Sequence, residues 1–172
     1  MLQFCEWLEK NPWIMSLDSS VVISLIFEIC HYSGFFLLVG TSVALDLRIM
    51  GIAAQREPVP QLARQLRAWM WTGLVMVLIS GFFMFAGDAV DFYGAGTFRV
   101  KLLIVLVAVG LGIFVNSKAG ASSEQPSISV GAKVLAFLSL ILWIGSILIS
   151  VEVPAKCPRS PREDAAESDA GL

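Results

Sequence analysis

The sequence is short of polar surface. Of its 172 residues, 15% are charged and 56% are hydrophobic, with a mean hydropathy of +0.76. A water-soluble domain of this size must cover itself with polar side chains, and this chain has too few of them. It holds a single histidine, His31. Its three cysteines, Cys5, Cys30 and Cys157, form no CxxC or other metal-type spacing, which excludes the common zinc sites. The net charge of −2 gives no basic field for nucleic acid. There is no glycine-rich phosphate loop and no nucleophile–base constellation. The alternating segments of a membrane β-barrel, about 10 residues each, are also missing.

What the chain has instead is four apolar runs of about 20 residues, the length that carries a helix across roughly 30 Å of hydrocarbon. The expected fold is all-α: an integral membrane, up-down four-helix bundle with spans at about 20–47, 68–87, 97–116 and 130–151. Together these spans make one domain over 20–151. Residues 1–19 read as an N-terminal segment in the membrane interface, with Leu2, Phe4, Trp7 and Leu8 in contact with lipid. Glu6 and Glu9 stand where a signal peptide would carry its basic region and apolar core, so the segment is expected to be retained. The loop "GDAVDFYGAG" holds Asp88 and Asp91, expected to be solvated. The tail 152–172 is rich in proline, charge and small residues and is expected to be disordered.

Short-loop charges set the orientation. Arg48, Arg56, Arg64, Arg67, Lys118 and Lys133 fall on one side, and Lys10, Arg99, Lys156, Arg159 and Arg162 on the other. The balance places both termini in the periplasm of a bacterial inner membrane. Cys5 and Cys157 then share the oxidising side, where a disulfide between them is open. Small residues recur at packing intervals: Gly73, Ser80 and Gly81, Gly110 and Gly112, then Ala136, Ser139, Gly145 and Ser146. In lipid such residues let helix backbones approach closely.

Candidate chemistry sits in "FEICHYSG". Glu28 and His31 lie about 60° apart around a helix, with Ser24 and Ser42 near the same face. Titratable groups at this depth are costly and usually face the protein interior with a partner. Lys101 enters from the same side and is the expected ion-pair partner of Glu28. Two readings stay open. In one, Glu28, His31 and Lys101 form a structural network that fixes helix register. In the other, His31 ligates a haem b iron or a copper ion, with Glu28 orienting the imidazole. One histidine cannot supply two axial ligands. Haem would need a methionine, Lys101, an open position, or His31 of a second copy in a homodimer or larger membrane complex. Trp143, in mid-span, could stack on a planar ligand. Asp46 and Arg48 are expected to reach the headgroups, and Cys30 to be buried.

The run "FEICHYSGFFLLVGTSVALDLRIMG" resembles the first helix of a family of small bacterial membrane proteins of unknown function, with the pattern E-x-x-H-x-x-G, V-G, L-D-L-R-x-x-G. "TFRVKLLIVLVAVGLGIFVN" is similar to their third helix, with F-x-x-K and a closing Asn. The resemblance covers about 20–150 and rests on Glu28, His31, Gly34, Gly40, Asp46, Arg48 and Lys101. More distantly it points to copper-resistance D-type proteins and HemJ-type protoporphyrinogen oxidases. The latter imply haem binding, with functional roles at His31 and Lys101, for electron transfer or porphyrin redox chemistry. Here D-L-R-I-M-G replaces the Y-L-P-R-L-F-V-Y-H run of the HemJ type. The alternative implied is a non-enzymatic membrane subunit or a copper-handling protein.

Overall fold

The computed structural model describes residues 2–121 and 129–156. Seven helices account for nearly all of them: α1 (Leu2–Glu9), α2 (Pro12–Asp18), α3 (Val21–Met50), α4 (Val59–Gly87), α5 (Ala89–Gly94), α6 (Gly96–Ala121) and α7 (Val130–Lys156). Helices α3, α4, α6 and α7 are each long and apolar enough to cross a membrane. With 30 residues, α3 is about 45 Å long at 1.5 Å per residue, more than the hydrocarbon alone requires. The expected spans therefore sit toward one end of longer helices, with α3, α6 and α7 running on past them and α4 starting before its span, because the chain meets no breaker at the membrane boundary.

The breakers lie further out. Gly51 ends α3 in the left-handed region at φ 79°, where a side chain would be strained. Its N–H donates to the Arg48 carbonyl, and the Ile52 N–H donates to that of Leu47 at 2.9 Å, so the last carbonyls of α3 are satisfied. Pro58, extended, then caps α4, where a missing N–H costs nothing.

Each long helix packs on its neighbour in sequence, and α7 returns to α3. The α3–α4 contact is the most extensive. Its reason is Gly34 against Gly73: a Cβ built on Gly73 would lie 2.8 Å from the Gly34 carbonyl oxygen and from the Leu38 nitrogen. Any side chain at this crossing would force the two backbones apart. Three apolar clusters stack along the helices. Leu45, Ile49, Ala63, Val115, Ala119 and Ala136 fill the end near the 51–58 loop. Leu38, Met70, Leu74, Ala108 and Trp143 fill the middle. Cys5, Leu8, Ala86 and Ala89 close the other end.

That third cluster docks the N-terminal segment on the long helices. Leu8 and Cys5 are buried against α4 and α5, while Phe4 and Trp7 stay exposed and stack at 5.9 Å. The Glu9 carboxylate accepts the Val90 N–H at 3.4 Å and ties α1 to α5. The expected glycine-rich loop is in part the helix α5, because Ala89 docks fully buried under α1. Residues 152–156 continue α7. The rest of the predicted disordered tail and Cys157 lie outside the described residues, as does most of the α6–α7 linker.

Candidate functional site

His31 is half-buried on the face of α3 that meets α4. Its Nδ1 lies 3.2 Å from Ser80 Oγ. The Ser80 hydroxyl already donates its one proton to the Met76 carbonyl at 2.6 Å. Ser80 is thus placed to accept from Nδ1–H, and the Val77 backbone of α4 is a further hydrogen-bond partner of the imidazole. Gly81 makes the seat: a Cβ there would meet the imidazole at 3.0 Å from Cε1 and 3.3 Å from Nδ1. The Cε1–Nδ1 edge thus faces Gly81.

Glu28 does not share this pocket. It is exposed, with the Tyr32 hydroxyl as its neighbour one turn on. Lys101 is half-buried and within electrostatic reach of His31. No Glu28–Lys101 ion pair forms among the described residues, so the structure divides the expected triad. His31 and Lys101 come near each other, and Glu28 stands apart. Helix geometry gives the reason. Glu28 lies to the side of the α3–α4 seam, at a level beyond the Phe35–Trp143 contact that α7 makes lower down.

The residues expected at the headgroups behave differently from one another. Arg48 Nε donates to the Glu57 carbonyl at 2.7 Å and pins the 51–58 loop, which suits a structural role. Asp46 turns inward and is 2% exposed, beside the Ser139 hydroxyl of α7. Nearby, Arg67 Nε donates to Asn116 Oδ1 at 3.1 Å, and Asn116 Nδ2 donates to the Ala63 carbonyl at 3.1 Å. This Asp46–Asn116–Arg67 grouping is a second polar site, which the reading centred on E-x-x-H passed over. The signals for it were in the sequence: the L-D-L-R run, the closing Asn of the third span, and the small residues Ser42, Gly112 and Ser139.

Of the two glycines expected to be structural, Gly34 forms the α3–α4 crossing. Gly40 is exposed, and a Cβ on it would meet nothing within 4 Å. Trp143 is not a platform for a planar ligand. It is 1% exposed, filling the middle cluster and meeting Phe35 edge-on at 6.1 Å. Cys30 is half-buried, and Ser24 is exposed. Asp88 is exposed, as expected of a solvated loop residue.

A metal group at His31 would have Nε2 as its nitrogen donor. Lys101 is the nitrogen-bearing side chain of α6 that the structure brings near it. Among the described residues no three His, Cys, Asp or Glu side chains come together. Met76 is wedged at the Gly34 crossing, and Met70 sits in the Trp143 cluster.

Four long apolar helices, with polar side chains turned between them, define a chain that fits a multi-pass helical membrane protein. It belongs to a family of unknown function, DUF6644, whose profile matches residues 6–157. No curated protein and no solved structure matches it.

Proposed function

We propose that the protein is a non-enzymatic, multi-pass subunit of the bacterial inner membrane, in which His31 fastens α3 to α4. The supporting observation is the seating of the imidazole, with Nδ1 on Ser80 and its edge in the space that Gly81 leaves open. Polar groups that join helices are a common device inside membrane bundles. The test is a visible absorption spectrum of the detergent-purified protein, expressed with ample haem precursor. The expected result is no Soret band. A stoichiometric band that disappears in His31→Ala overturns the reading.

A second reading draws on the Nε2 side of the ring, which lies away from Gly81. Two copies of the chain could each offer one imidazole to a shared haem b iron or copper ion, which would make the working form a homodimer. The two readings part on the same spectrum, combined with the mass of the particle in detergent. The arginine-rich 48–67 stretch favours a cytoplasmic position, and both termini a periplasmic one. A periplasm-only reporter fused after Leu172 should give signal. Signal from a cytoplasm-only reporter reverses the orientation.

A further inference from the structure

We propose that a cavity between α3, α4 and α6 is a binding site for one small monovalent cation, a proton or a sodium ion, taken up by Asp46 among Thr41, Ser42 and Asn116. This goes beyond the role of His31 and does not depend on it. The cavity has room for about one water molecule.

Its walls are rich in acceptors, and most of their donors are already engaged. Thr41 Oγ1 gives its proton to the carbonyls of Leu37 and Leu38, at 2.9 and 3.0 Å. Ser42 Oγ gives its proton to the Leu38 carbonyl at 2.9 Å. Asn116 gives one of its two amide protons to the Ala63 carbonyl, and its Oδ1 accepts from Arg67. Asp46 Oδ2 is fully buried without a well-aligned hydrogen bond, and so is the flanking Ser139 Oγ. That hydroxyl lies outside the cavity lining, and one neutral donor does not neutralise a carboxylate.

A buried, uncompensated carboxylate is among the most costly groups a membrane interior can hold. The cationic side chain bonded to the cavity wall is Arg67. Its Nε is on Asn116, and its guanidinium lies against Gly120. What the walls lack is one positive charge, and a proton or a bare sodium ion supplies it. Gly112 keeps the space open. A Cβ there would sit 3.4 Å from Ser42 Oγ, an ordinary contact, so a methyl can enter without a clash.

The experiment uses the full chain in detergent, with infrared spectra and melting temperatures in sodium chloride or choline chloride at equal ionic strength. A protonated-carboxyl band should appear in the wild type, titrate with pH, and be absent in Asp46→Asn. If that variant does not fold, Asp46→Glu identifies the band by its shift. A sodium guest would lower the band and raise the melting temperature by several degrees relative to choline, and Gly112→Ala would lose that response while remaining folded. If the proton is the only guest, sodium changes neither reading while the band still titrates. Both of these outcomes support the site. A carboxylate that stays ionised with no sodium response overturns it, and so does a band that never changes with pH or sodium.

Discussion

The two ends of the helix bundle treat their polar residues in opposite ways. Near the 51–58 loop, Asp46, Asn116 and Ser139 are all buried, and Arg67 reaches in to bond Asn116. Near the N-terminal end, Glu28 is exposed and His31 and Lys101 are half-buried. The difference lies in how many helices close around each level. At the loop end α3, α4, α6 and α7 all contribute to one apolar cluster. At the His31 level the tight seam is α3 on α4 alone. A polar group on a membrane helix is thus committed or left free by the reach of its neighbours, not by its own type.

The largest effect that would break the comparison should come from the shared seam. Gly73→Ala places a Cβ within 2.8 Å of α3 backbone atoms, which forces the helices apart. We expect a loss of roughly 1–3 kcal/mol in unfolding experiments from detergent, together with a weakened Soret-independent marker of packing such as Trp143 fluorescence. A wild-type melting curve for this variant would mean that α3 and α4 do not cross there. Next in size is Ser80→Ala, which removes the acceptor for His31 Nδ1. The cost should be about 0.6 kcal/mol, the average for such bonds between membrane helices. Its sharper readout is the imidazole proton, which should no longer stay on Nδ1 in nitrogen NMR spectra; an unchanged tautomer would show that Ser80 does not set it. The smallest effect should be Gly40→Ala. With open space at that position, its stability should stay within about 0.5 kcal/mol of wild type. A larger loss would put a helix, or a second copy, against that face.

Much of the architecture was legible because membrane spans are written in length and hydropathy, and those four runs became α3, α4, α6 and α7. Gly34 and Gly73 were also readable, since small residues mark close helix approach. The site was legible only in part. Glu28 and Asp46 are separated by about five helical turns, so they share an azimuth on α3, and periodicity cannot tell them apart. Which carboxylate is buried depends on where α7 packs, and that is a tertiary fact. The E-x-x-H spacing drew attention to Glu28, while Asp46, placed near a helix end beside Arg48, read as a headgroup residue. The packing of Leu8 on Ala86 and Ala89 was not readable for a similar reason: the partners lie in segments far apart in the chain.

One pair of double-mutant cycles tests most directly whether the two ends differ as described. Stabilities would be measured in parallel for Arg67→Ala with Asn116→Ala, and for Glu28→Gln with Lys101→Met. The account predicts a coupling on the order of 1 kcal/mol for the first pair, whose members are hydrogen-bonded at 3.1 Å. It predicts additive losses, within about 0.5 kcal/mol, for the second pair. Coupling between Glu28 and Lys101 with additivity between Arg67 and Asn116 would contradict it.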